Sequence, residues 1–177
     1  MKIEIKNIKV NLAFSEETTC FKADIFVNGV NTGYAENDGR GGSTWYHPHE
    51  GKRELLSVAE AHAKTLPSHF YKFGDEQREI KSNLENFIDD AIDSFVNAKE
   101  KAKFDKKLEK SMICNIVFGV PNSGKASMIG YGKTPLANVV KHPQSREGVV
   151  KLLARIKSEL KEGEVILNTN LSELGLI

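Results

Sequence analysis

The chain has 177 residues, 40% of them hydrophobic and 28% charged, with a formal net charge of +1. That balance supports a hydrophobic core without disulfide or metal staples. It excludes a global basic field that would draw nucleic acid to the whole surface, and no apolar run approaches the ~20 residues of a membrane span.

The opening residues KIEIKNIKVNL (2–12) alternate apolar and polar positions, with a one-residue slip near Lys6 and Asn7. Period two is the pattern of a half-buried strand, and the slip predicts a β-bulge. CFKADIFV (20–27) alternates again, with Phe21, Ala23, Ile25 and Val27 on one face. Asn28-Gly29 follows, a pair that accepts positive φ and closes two-residue hairpins. Residues 2–36 therefore predict a three-stranded antiparallel meander. The start MKIEIKNIKV lacks the apolar block of a leader, and Cys20 and Cys114 sit singly in apolar runs. The expectation is two buried, reduced thiols in a cytoplasmic protein.

Residues 52–66 place Leu55, Ala59, Ala63 and Leu66 at helical spacing, closed by Pro67. After the aromatic connector SHFYKFG, Asp75 is the expected N-cap of a long helix from Glu76 to about Lys110. Its apolar stripe includes Ile80, Leu84, Phe87, Ile88, Ile92, Phe95 and Val96. Phe87, Ile88, Ile92 and Phe95 are expected to pack on Phe21, Ile25 and Val27. MICNIVF predicts a strand, PNSGK a turn and SMIGYGK a return strand. Residues 135–140 and 144–160 predict helices, and EVILNTNL (164–171) a last extended segment. The fold class is α+β: an antiparallel three-stranded meander packed on helices, one of them long, then a hairpin, a helix and a final strand. The parts 1–74, 75–111 and 112–177 are expected to make one compact domain.

Four features carry chemistry. GVPNSGKA (119–126) nearly matches a phosphate-binding loop, but Ala126 stands where a metal-binding hydroxyl is needed and the residues after it are strand-like. It reads as a hairpin turn. NDGRGGSTWYHPHE (37–50) gathers glycines, charge, aromatics and histidines. Asp38, Arg40, Gly41 and Gly42 offer unobstructed backbone N–H groups and a guanidinium, a candidate anion nest. Trp45 and Tyr46 are candidate stacking or anchoring residues, or else core plugs. His47 and His49 project to one side of an extended segment and, with Asp38, form an incomplete metal set. Lastly, Lys99, Lys101, Lys103, Lys106 and Lys107 make the end of the long helix basic. They are interleaved with Glu100, Asp105 and Glu109, a mixture usual on solvated faces.

FSEETTCFKADIFVNG (14–29), NDGRGGSTWYH (37–47) and LNTNLSELG (167–175) resemble small uncharacterised proteins encoded by bacteriophages and prophages. Their pattern runs through an S-E-E-T turn, an N-G hairpin and a D-G-x-G-G segment. The resemblance implies a viral or mobile-element origin and no mechanism; by analogy of class, it points to binding and blocking a host system.

Three readings follow. The leading one is a non-catalytic accessory protein that engages a host protein or protein–nucleic-acid complex, with inhibition of a bacterial defence system such as a CRISPR nuclease as its setting. The second is a nucleotide or nucleic-acid binder using the glycine-rich loop and the lysine-rich helix. The third is a metal-dependent enzyme through Asp38, His47 and His49. No cofactor, resident metal or membrane contact is expected, and a homodimer is carried as a further expectation.

Overall fold

The computed structural model describes residues 1–74 and 76–177, with the side chains of all but His69, Tyr71, Lys72, Phe73 and Arg78. The chain divides into two units, Met1–Ala98 and Lys99–Ile177. The fold is α+β, as the alternation of period-two and helical segments requires. No helix among the described residues is long and apolar enough to cross a membrane.

The first unit is built on an antiparallel sheet of four strands in sequential order: β1 (Ile3–Val10), β2 (Phe21–Val27), β3 (Val30–Asn37) and β4 (Trp45–Pro48). The slip in the first strand is a bulge. Lys6 pairs with Asp24, the register shifts by one, and Lys9 pairs with Lys22, with Asn7 at φ 53° in between. Val27 pairs with Val30 across Asn28 (φ 49°) and Gly29 (φ 82°), the positive-φ pair that a tight hairpin demands. The expected three-stranded meander gains a fourth strand: Glu36 pairs with Trp45 and Gly33 with Pro48. Proline donates no backbone hydrogen bond, so its place on this outer strand is permitted.

One face of β2 is buried throughout: Phe21, Ala23, Ile25 and Val27. They share a core with Leu56, Ala59 and Ala63 of helix α1 (Arg53–Ala63) and with Leu84, Ile88 and Ile92 of helix α2 (Leu84–Met112). The packing of the long helix on the meander is as the stripe predicts, with one adjustment. Ile88 and Ile92 are fully buried, Phe87 packs against the cluster half-buried, and Phe95 is partly exposed.

The helix does not begin at Glu76. Two strands, β5 (His69–Phe73) and β6 (Glu76–Ile80), pair antiparallel there instead. Glu, Gln and Arg are good helix formers, and that preference made EQREI look helical; pairing with the strand before it overrides so weak a prior. The expected cap at Asp75 lies outside the described residues. The cap that opens α2 is Asn83, whose Oδ1 accepts from the Asn86 N–H at 2.7 Å. Asn86 returns the tie by donating to the Lys81 carbonyl at 3.2 Å.

α2 runs from the first unit into the second. There, β7 (Asn115–Gly119) lies between β8 (Ser127–Gly130) and β9 (Val165–Ile166), both antiparallel to it. Helices α3 (Leu136–Val139) and α4 (Pro143–Glu159) complete the unit. Ile116, Leu136, Val149, Leu153, Ile156 and Leu171 form its core. The Asn168 side chain stitches this unit: Oδ1 accepts from the Val117 N–H at 2.6 Å, and Nδ2 donates to the Asn115 carbonyl at 2.9 Å. Asn170 donates to the Met112 carbonyl at 3.2 Å, satisfying an acceptor in the last turn of α2. These two residues give the N-T-N segment a structural purpose.

A candidate binding surface on the first sheet

The glycine-rich stretch has two halves with different roles. Residues 37–44 are a lock. Asn37, 7% exposed, accepts from the Gly39 N–H and the Thr18 hydroxyl, both at 2.8 Å, through Oδ1. Its amide donates to the Gly42 carbonyl at 2.9 Å and to Thr44 Oγ1 at 3.3 Å. The Gly39 carbonyl accepts from three successive backbone N–H groups, those of Glu16, Glu17 and Thr18, at 2.9, 3.0 and 3.3 Å. A nest of N–H donors is therefore present, but it belongs to the S-E-E-T turn, and the chain's own carbonyl fills it.

In the expected anion nest over Asp38, Arg40, Gly41 and Gly42, three N–H groups are engaged within the chain. The Gly39 N–H is spent on Asn37, the Arg40 N–H on Asp38 Oδ1 at 3.1 Å, and the Gly41 N–H on Thr18 Oγ1 at 3.2 Å. Gly39 is required by geometry: its φ is +87°, and a Cβ there would stand 2.1 Å from the Phe14 carbonyl oxygen. Asp38, Arg40, Gly41 and Gly42 lie exposed at the rim of the lock.

The second half is β4, and strand alternation splits its aromatics. Tyr46 turns inward and packs against the core cluster. Burial, then a hydrogen bond to the Glu60 carboxylate, raises its phenol to about 12. Trp45 turns outward and is 66% exposed. So of the two residues read as anchors or core plugs, one is each. His47 shares the outer face with Trp45, and His49 follows the strand. Tyr34 of β3 lies beside both imidazoles, with ring centroids at 5.3 and 6.1 Å. Lys22 Nζ sits 4.7 Å from the Tyr34 ring centre and 3.3 Å from Glu36 Oε2. A hollow of about 430 Å³ beside Trp45 is lined by Glu36, Asp38, Gly42 and Ser43, among others. Among the described residues no group of three or more His, Cys, Asp and Glu side chains is arranged to hold a metal ion, so Asp38, His47 and His49 are not assembled into one.

A second concave feature was not foreseen. A cleft of about 490 Å³ is lined by Glu16, Glu17, Thr44, Glu85, Asp89 and Asp93 with neighbouring polar residues. Thr44 donates its N–H to Glu85 Oε1 at 3.1 Å and its hydroxyl to Asp89 Oδ1 at 2.5 Å. Burial raises the Asp89 carboxyl above its usual range; the Thr44 hydrogen bond opposes this, and Glu85, Asp93 and Asp90 add to the rise. The available signal was the four-residue spacing of Glu85, Asp89 and Asp93, which puts all three on one face of a helix.

Elsewhere, the phosphate-loop look-alike is a hairpin connection. Phe118 pairs with Ser127, and Asn122 (φ 59°) and Gly124 (φ 70°) make the turn with no helix following. Cys20 and Cys114 are free thiols, partly rather than fully buried. Of the basic helix, Lys99, Lys101, Lys103, Lys106 and Lys107 all lie exposed, and Lys101 pairs with Asp105 at 2.9 Å. No protein-family model matches the chain, and no curated protein or solved structure matches it.

Proposed function

We propose that the protein is a non-catalytic binding protein that engages a macromolecular partner through the outer face of its first sheet. The observation that carries this reading is Trp45, an indole 66% exposed on a paired strand. Tyr34, His47 and His49 cluster on the same sheet, Tyr34 beside both imidazoles, and the hollow bearing Glu36 and Asp38 lies alongside Trp45. A large aromatic held by a sheet loses little conformational entropy on contact and buries much area, the property of an interface anchor. The carboxylates at the hollow favour a partner that offers a basic or hydrogen-bond-donating side chain next to its apolar contact.

The resemblance to phage-encoded proteins supplies the setting: a protein or protein–nucleic-acid complex of a bacterial host, blocked by occupation of its surface. Inhibition of a defence nuclease is the form we favour. The test is capture from bacterial lysate on the immobilised chain, wild type against Trp45→Ala and Tyr34→Ala. Truncating a central anchor removes about 2 kcal/mol or more of binding, a loss of about 30-fold in affinity. An unchanged set of captured proteins, with the fold intact by circular dichroism, overturns the reading.

A further inference from the structure

The part of α2 that lies in the second unit carries a charge pattern independent of the Trp45 surface. Lys99, Lys103, Lys106, Lys107 and Lys110 stand at i, i+4, i+7, i+8 and i+11, so a 3.6-residue repeat brings all five onto one face. All five are exposed. Phe104, Leu108 and Met112, on the opposite face, are partly or fully buried. Lys101 falls outside the stripe and is the lysine paired with Asp105.

Ordinary solvated helices neutralise their cations within a turn. In α4 two of the four cations are neutralised in this way, Lys151 on Glu147 at 2.7 Å and Arg155 on Glu159 at 3.9 Å. In the stripe Glu100 and Glu109 stand three residues from Lys103 and Lys106, but among the described residues neither makes an ion pair with them. The four-residue neighbours of its lysines are lysines: Lys99 with Lys103, Lys103 with Lys107, Lys106 with Lys110. Like charges at that spacing weaken a helix. Among the described residues Lys103, Lys106, Lys107 and Lys110 make no ion pair. A linear polyanion relieves this repulsion. The stripe is about 16 Å long at 1.5 Å per residue. Along such a length one strand of a duplex carries about five phosphates. The stripe holds no aromatic and no arginine, so it suits backbone contact without base reading.

We infer that the lysine stripe of α2 binds the phosphodiester backbone of nucleic acid, without sequence preference. The binding goes beyond the sheet-face function and does not depend on it.

The test is fluorescence anisotropy of the full chain with a labelled mixed-sequence duplex, in parallel with co-sedimentation on phosphatidylserine-containing vesicles. The wild type binds the duplex, and its affinity falls steeply between about 50 and 200 mM salt, with a log–log slope near −4. Replacing Lys103 and Lys107 together with alanine, which keeps the helix, weakens binding about tenfold and makes the slope shallower by about 2. Lys101→Ala and Trp45→Ala change neither quantity. Absence of duplex binding at the lowest salt overturns the inference. So does an equal loss from Lys101→Ala, and so does retention on vesicles with none on duplex.

Discussion

Asn37 does more for the glycine-rich loop than any glycine in it. One buried side chain satisfies Gly39, Thr18, Gly42 and Thr44 together, so the loop is ordered without a ligand. Gly39 is a position at which a side chain would meet backbone, the Phe14 carbonyl. Gly39→Ala is expected to destabilise the protein by more than about 1 kcal/mol, because positive φ and a backbone clash act together; urea unfolding measures it. Gly42→Ala, which meets nothing nearby, is the comparison. Asp89 makes a prediction with a defined sign. Its carboxyl is raised in the folded state above the ordinary 3.8, so it favours folding most below that pH, and the benefit is lost as pH rises through the raised value. Asp89→Asn retains an acceptor for Thr44 and removes the repulsion from Glu85 and Asp93. Its melting temperature is expected to exceed the wild type's at pH 7, and the difference to shrink as pH falls through the raised value and below 3.8.

At the scale of elements, legibility followed the strength of the local signal. The first three strands were readable because Phe21, Ala23, Ile25 and Val27 alternate over a one-sided core and Asn28-Gly29 has a single good conformation. The bulge at Asn7 was readable for the same reason: a slip in a period-two pattern has few other meanings. β4 was missed because four residues containing Pro48 carry little periodicity, and its pairing with β3 is a tertiary fact. The pairing of β5 with β6 was missed because the second strand is composed of helix formers. The lock between the S-E-E-T turn and Gly39 joins residues some twenty positions apart through backbone groups, which leave no trace in side-chain identity. Asn83 was legible in principle, since a cap residue directly precedes Leu84 and Glu85. Asn83→Ala is expected to cost about 1 kcal/mol of stability, read by chemical denaturation.

At the scale of the whole molecule the described residues form two cores, one around Ile25, Ile88 and Ile92 and one around Ile116, Leu153 and Ile156. Each is large enough to melt as a unit, so calorimetry is expected to show two components. Ile92→Ala and Leu153→Ala should each lower one component, by about 2–5 kcal/mol, and leave the other nearly in place. A single transition shifted equally by both would mean that the cores unfold together.

The division between the units falls between Ala98 and Lys99, inside α2. Proteases cut extended chain, and a residue within a helix must first lose the hydrogen bonds of its turn before it fits a protease cleft. The many lysines there are consequently poor tryptic sites in the native protein, abundant as they are. Mild digestion should nick exposed loops long before it separates the halves, and neither half can be moved to another protein by cutting at a linker, because the segment that joins them is itself folded.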